Sequence, residues 1–289
     1  MPRLGIGTVA ALLAITLLSS VSHADMNDLK TAVNSGKPEA QFLLGSMMLS
    51  GDGVPRDQNE GIALYEKAAD QGLIMAQTAL GLMYDRGSNV PQDYKKAAYW
   101  FKQAALRGDV TAQLLTAIYY YDGQGVKRDY QQAAHWYKKA AEQGHASAQG
   151  SLGSMYLNGE GVEKDNSQAR QWLSKAAEQG NAMAQGQLGT MYDLGSGVPK
   201  SDKQAVFWYS KASQRGNAQA QRLMGLKYAT GRGVPQNFVN AYAWLSVSVA
   251  NGNEDATNSR DTIAELLTPD QLAKGQELAA SYFDKYQPK

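Results

Sequence analysis

Residues 147–182 read SAQGSLGSMYLNGEGVEKDNSQARQWLSKAAEQGNA, and the flanking stretches 111–146 and 183–218 align to it without a gap. Working outward, the five tryptophans Trp100, Trp136, Trp172, Trp208 and Trp244 stand 36 residues apart. Gly36, Gly72, Gly108, Gly144, Gly180, Gly216 and Gly252 keep the same step, as do the pairs Ala40-Gln41, Ala76-Gln77, Ala112-Gln113, Ala148-Gln149, Ala184-Gln185 and Ala220-Gln221. A fixed period of this length marks an array of one supersecondary unit that buries its apolar face by stacking on its neighbours. Six units fit, at 39–74, 75–110, 111–146, 147–182, 183–218 and 219–254.

Each unit reads as two amphipathic helices. Ala148, Leu152, Met155 and Tyr156 recur at helical spacing, and Ala169, Trp172 and Ala176 do so again. Between them lies a Gly-x-Gly step at Gly51/Gly53, Gly123/Gly125, Gly159/Gly161, Gly195/Gly197 and Gly231/Gly233, with Gly87 and Asn89 in the second unit. The first Gly ends a helix in the left-handed conformation and the second helps the chain reverse. Asp57, Asp93, Asp129, Asp165, Ser201 and Asn237 then read as N-caps, and Glu60, Gln132, Gln168 and Gln204 three residues on predict capping boxes. Asp109, Asn181, Asn217 and Asn253 read as caps for the following first helices, and the tryptophans fall on the buried stripe of the second helix. Gly45, Gly81, Gly153, Gly189 and Gly225 recur inside first helices, where Gly costs about 1 kcal/mol relative to Ala. A cost repeated five times predicts close helix crossing.

The ends differ from the repeats, as capped arrays require. The first 24 residues, MPRLGIGTVAALLAITLLSSVSHA, carry one cation, an apolar run and a small-x-small ending, the pattern of a secretory signal peptide. They predict export to the periplasm or medium, with no stable membrane insertion after cleavage. Residues 25–38 read as an N-terminal capping helix and 255–289 as C-terminal capping helices, the last opening at Thr268-Pro269-Asp270-Gln271.

Composition narrows the chemistry. Without Arg3, 27 basic residues face 27 acidic ones, which disfavours a nucleic-acid partner. Cysteine is absent, which removes disulfide frameworks, thiol catalysis and Cys-ligated zinc. His135 and His145 are the histidines beyond the leader, too few for a zinc site. The nucleophile, metalloprotease and phosphate-loop patterns do not occur. The sequence therefore predicts no catalytic residue, no metal and no cofactor.

The stretch Tyr120, Gly123, Gly125, Val126, Asp129, Ala133, Trp136, Tyr137, Lys139, Ala140, Ala141 and Gly144 is similar to the Sel-1-like repeat family, relatives of tetratricopeptide arrays, and the likeness runs from 39 to 254. Departures are local: Leu64 for Trp, Thr116-Ala117 for Leu-Gly, and Val247-Ser248-Val249 for Lys-Ala-Ala. The resemblance implies an all-α fold, a right-handed alpha-alpha superhelical solenoid whose concave face binds a protein or peptide. It further implies a non-enzymatic scaffold or regulator in the bacterial cell envelope. The alternatives it carries are a periplasmic immunity protein neutralising a phospholipase-type effector and, remotely, a β-lactam-binding hydrolase. That last branch is rich in cysteine, unlike this chain.

Partner contacts are expected where units differ. Tyr120 holds the motif register and reads as core, so Tyr119 and Tyr121, about 100° to either side, read either as exposed partner contacts in the groove or as padding against neighbouring helices. Leu82, Ile118, Ser154, Thr190 and Leu226, one after the motif small residue, are expected to line the concave wall. Tyr94, Tyr99, Tyr130, Phe238 and Tyr242 are weaker candidates on second helices.

Overall fold

The computed structural model describes residues 23–286, so the leader assigned to 1–24 lies essentially outside the described residues. Helix α1 (His23–Asn34) precedes six helix pairs: α2 (Pro38–Ser50) and α3 (Gln58–Asp70), α4 (Ile74–Arg86) and α5 (Tyr94–Leu106), α6 (Val110–Asp122) and α7 (Tyr130–Glu142), α8 (Ala146–Asn158) and α9 (Asn166–Glu178), α10 (Ala182–Leu194) and α11 (Asp202–Ser213), α12 (Ala218–Thr230) and α13 (Phe238–Ala250). A short 3-10 turn leads to α14 (Thr257–Glu265) and α15 (Pro269–Lys285). The described residues contain no strand, and the fold is an all-α repeat solenoid. The chain divides into two compact bodies, one ending at Lys139 and the other beginning at Ala140. In the first, α2 packs on α3, α3 on α4, α4 on α5 and α5 on α6; in the second, the same alternation runs from α8 to α13.

The turn residues act as their chemistry dictates. Gly51, Gly87, Gly123, Gly159, Gly195 and Gly231 end the first helices in the left-handed conformation, each donating its amide four residues back. The second glycine does more than reverse the chain. A Cβ on Gly125 would lie 2.1 Å from the Tyr94 carbonyl oxygen, and one on Gly233 would lie 2.4 Å from that of Asp202. This residue is where a turn touches the start of the preceding second helix. Asn89, at the same register, is the one non-glycine with positive φ among the described residues.

The N-cap side chains of Asp57, Asp93, Asp165, Ser201 and Asn237 each accept from a first-turn amide. The reciprocal half of the expected capping boxes is missing from α3, α9 and α11. The complete box forms at Thr268 and Gln271. Asp109, Asn181 and Asn217 cap first helices as expected, whereas Asn253 turns its amide to Gln219 Oε1. At the missing boxes the Glu60 carboxylate and the Gln204 carboxamide are exposed, and they gain little by folding back when water serves them equally well.

The recurrent Ala-Gln pair has a specific task. The Ala is buried at every copy, and from the second repeat onward the Gln beside it reaches back to the end of the preceding second helix. Gln77 Nε2 donates to the Ala69 carbonyl at 2.8 Å, Gln113 to Ala105 at 3.3 Å, Gln149 to Ala141 at 3.1 Å, Gln185 to Ala177 at 3.0 Å and Gln221 to Ser213 at 3.1 Å. The last carbonyls of a helix have no partner within it, and here the next helix supplies one. Gln149 Oε1 in turn accepts from Gln179 Nε2 at 2.8 Å, so one side chain links the end of the third repeat to the end of the fourth repeat's second helix. Gln149→Leu, which abandons both bonds in a dry setting, is expected to cost about 2–3 kcal/mol in urea denaturation; a change below about 0.5 kcal/mol would refute the role.

The glycines inside first helices face large side chains of their partner helix. A Cβ at Gly81 would stand 2.5 Å from the Phe101 ring, one at Gly153 2.7 Å from Leu173 and one at Gly189 2.4 Å from Tyr209. The tryptophans divide. Trp100, Trp136 and Trp244 are buried as expected, but Trp172 and Trp208 are half-buried, with Lys175 and Lys211 laid over their rings. An amphipathic indole tolerates that position because a lysine stem covers its open face. At the C-terminal end, the rings of Tyr282 in α15 and of Tyr286 just after it lie 4.4 and 5.7 Å from that of Trp244, so α15 and its cap cover the last pair.

Candidate binding cleft

Tyr119 is not the exposed aromatic that the sequence suggests. It is 3% exposed, its ring packs edge-on against Phe101, and its hydroxyl donates to Asp85. The reason is register. Tyr119 occupies the position of Met47, Met83, Met155 and Met191, all buried. Tyr120, expected in the core, is half-buried and accepts a hydrogen bond from Lys102 Nζ at 3.2 Å. Tyr121 is half-buried against Tyr130.

The other expected partner residues are half-buried too, and two of them are already engaged. Ser154 exchanges hydrogen bonds with Gln187, and Thr190 accepts from the Tyr209 hydroxyl at 3.3 Å. Leu82, Ile118 and Leu226 remain partly open.

A cleft of about 190 Å³ lies between α5 and α6. Lys95, Ala98, Tyr99 and Lys102 of α5 form one wall, Thr116, Tyr119 and Tyr120 of α6 the other, with Val126 closing one end. Tyr99 is 55% exposed, and both lysines are exposed. Thr116 is 2% exposed, and its hydroxyl has no hydrogen-bond partner. Five other repeats place Leu44, Leu80, Leu152, Leu188 or Met224 at this register, all buried. The smaller threonine leaves a space where they have a branched or long apolar chain. Its neighbour Ala117 reverses the trade, adding a methyl where the others keep glycine. The signal was legible as Thr116-Ala117 in place of Leu-Gly, but a sequence does not show that the lost volume opens to a lysine-bearing surface.

A second departure lies in the sixth repeat. Lys227 takes the Met register, is 4% exposed, and donates to Asp193 and Asp202 at 2.6 Å each. Arg232 joins from outside at 3.2 Å from Asp202. The carboxyl of Asp202 is held below its ordinary value, first by the hydrogen bond from Lys227 and further by the Lys227 and Arg232 charges. Four fixed charges satisfying one another form a structural knot rather than a reactive group. Its registers match those of Tyr119 and Asp85, so both polar replacements of Met are met by an Asp of the preceding repeat.

His135 is exposed beside Trp136, and His145 stands at the N-terminus of α8. Among the described residues no group of three or more His, Asp or Glu is placed to hold a metal ion, and no helix is long and apolar enough to cross a membrane.

The Sel1 repeat profile matches residues 38–73, 74–109, 110–145, 146–181, 182–217 and 218–253. The chain belongs to the Sel1 repeat family. This Sel1 repeat protein is similar to the crystal structure of a Sel1 repeat protein from Oxalobacter formigenes, with 36% identity over 89% of this chain and 74% of that one and a TM-score of 0.65. It is also similar to a protective antigen of uropathogenic Escherichia coli with the same repeat fold, at 26% identity, 90% and 79% coverage and a TM-score of 0.46. No curated protein matches the chain. Sel1 repeat proteins are typically protein–protein interaction scaffolds.

Proposed function

We propose that this Sel1 repeat protein is an exported, non-catalytic scaffold that binds a protein partner in the bacterial cell envelope. One observation carries the binding reading: the recurrent residues are spent on one another, while large apolar side chains stand exposed off the motif. Met75 and Met183 are exposed, and so are Tyr99 and Phe207; each pair shares a register three repeats apart. Surplus exposed aromatic and methionine area is characteristic of contact surfaces. The candidate contacts are the partly open Leu82 and Ile118 of the first helices and the exposed side chains of α5. Export rests on the pattern of residues 1–24.

Fractionation of cells making the full chain, with mass spectrometry of the N-terminus, tests export. A periplasmic protein beginning at Asp25 is expected, and an uncleaved cytosolic chain would refute it. Cross-linking in periplasmic extract then tests binding. Tyr99→Ala combined with Phe207→Ala is expected to reduce recovery of the cross-linked partner about tenfold or more. Recovery equal to the parent would exclude these side chains from the interface.

A further inference from the structure

We propose that the cleft between α5 and α6 receives the carboxylate of an acidic side chain that lies beside an apolar residue in a partner segment. This inference rests on the protein-binding reading and names the chemistry of the contact.

Size comes first. Pockets that enclose a whole small-molecule ligand measure about 300–1,000 Å³. The cleft holds about 190 Å³, room for an inserted side chain rather than a cofactor.

The floor comes next. A buried hydroxyl without a partner is costly, and five sister repeats show that this register accepts a buried Leu or Met. The fold therefore does not demand the polar group. The Thr116 side chain lines the cleft, and its hydroxyl, shielded from water in the unliganded chain, is a donor without an acceptor.

Charge sets the sign of that acceptor. Helix α5 carries Lys95, Lys96 and Lys102 and no acidic residue. Among the described residues, neither Lys95 nor Lys102 lies within ion-pair distance of a carboxylate, and Lys102 leans on the Tyr120 phenol oxygen instead. The Tyr119 hydroxyl is committed to Asp85, so it offers the cleft its ring and not its proton. One hydroxyl donor at the floor and two ammonium groups at the mouth match the two oxygens of a carboxylate. A phosphate, with three acceptor oxygens, would find neither arginine nor free helix amides in the lining set. The exposed ring of Tyr99 and the half-buried ring of Tyr120 supply apolar walls for the neighbouring residue at little entropic cost.

The test is an NMR titration of the isotope-labelled chain with two blocked peptides, one carrying a central Leu-Glu pair between Gly-Ser flanks and one with Leu-Gln. Saturable shifts at Tyr99, Thr116 and Tyr120 are expected with the Glu peptide, with binding about tenfold weaker for Gln and weakened by added salt. Thr116→Val keeps the shape and removes the hydroxyl; it is expected to melt no lower than the parent and to bind the Glu peptide several-fold more weakly. Lys102→Gln, a surface change, is expected to flatten the salt dependence. Equal affinity for the two peptides, shifts confined to other regions, or undiminished binding by both variants overturns the assignment. If the Glu peptide fails while a cross-linked partner is retained unchanged by both variants, the cleft is wrong and the scaffold reading stands. If the Glu peptide binds at the cleft while no protein partner can be cross-linked, the scaffold reading is the one that fails.

Discussion

Gly125→Ala is expected to destabilise the chain by about 3–5 kcal/mol, whereas Gly53→Ala, at the same register of the first repeat, costs about 1–2 kcal/mol. Both glycines have positive φ, +68° and +73°, so both substitutions pay the left-handed penalty. They differ in what a methyl would meet. At Gly53 the nearest atom is the flexible end of Met47, 3.2 Å away, which can swing aside. At Gly125 it is the carbonyl oxygen of Tyr94 at 2.1 Å, followed by the carbonyl carbon at 2.3 Å and the Lys95 amide nitrogen at 2.8 Å. Backbone at the start of α5 cannot retreat without opening the seam between the second and third repeats. Urea denaturation followed by tryptophan fluorescence, with circular dichroism as a second probe, measures both. Equal losses would mean that the close approach carries no energy.

Lys227→Met places the usual residue of this register in the sixth repeat and is nonetheless expected to cost about 2–3 kcal/mol. Removing one partner of a buried pair leaves the other uncompensated, at a typical cost of about 3–5 kcal/mol. The smaller figure applies because Asp193 and Asp202 keep 19% and 31% of their side-chain surface. Adding Asp193→Leu and Asp202→Asn to Lys227→Met recreates the neighbourhood that Met191 already enjoys, with Leu157 and Asn166 at the matching registers. That triple variant is expected to match or exceed the parent in stability, since well-packed apolar replacements of buried charges are commonly neutral or favourable. A triple variant weaker than the single one would refute the account. The pH dependence follows in sign. A carboxyl held below its ordinary value of 3.8 contributes its full stability above that value and loses it as pH falls through its folded pKa. The parent therefore loses stability more steeply on acidification below about pH 4 than the triple variant does.

The repeat, its two helices, the helix-ending glycines and the second-helix N-caps are legible in the sequence because each is a local matter of period, φ or a hydrogen bond within one turn. What escaped lay between repeats. The Gln ladder shows only as a recurrent letter until the structure brings Gln149 to the Ala141 carbonyl. Tyr119 is misleading for a related reason: the motif tyrosine at 120 looks like the core position, while the register buried in every repeat is the Met position one residue earlier. Lys227 hid in that same register. Thr116 stands out in the sequence as a departure, yet whether a lost side chain becomes a void, a repacked core or an open cleft depends on neighbours from another helix. The two half-exposed tryptophans show the same limit, since a lysine four-carbon stem completes a surface that periodicity counts as interior.

The charge knot of the sixth repeat also bears on how such an array can be rearranged by recombination. Excising residues 183–218 would preserve the 36-residue phase and join two well-formed helix pairs, but it would set Lys227 against the matching residues Leu157 and Asn166. An ammonium group would then sit in the interior with no anion. The fifth and sixth repeats are in that sense a cassette, inheritable together and not singly, and the second and third are coupled by the same logic through Asp85 and Tyr119. Copy number in this protein can change most cheaply at the joints where the Met register still holds methionine.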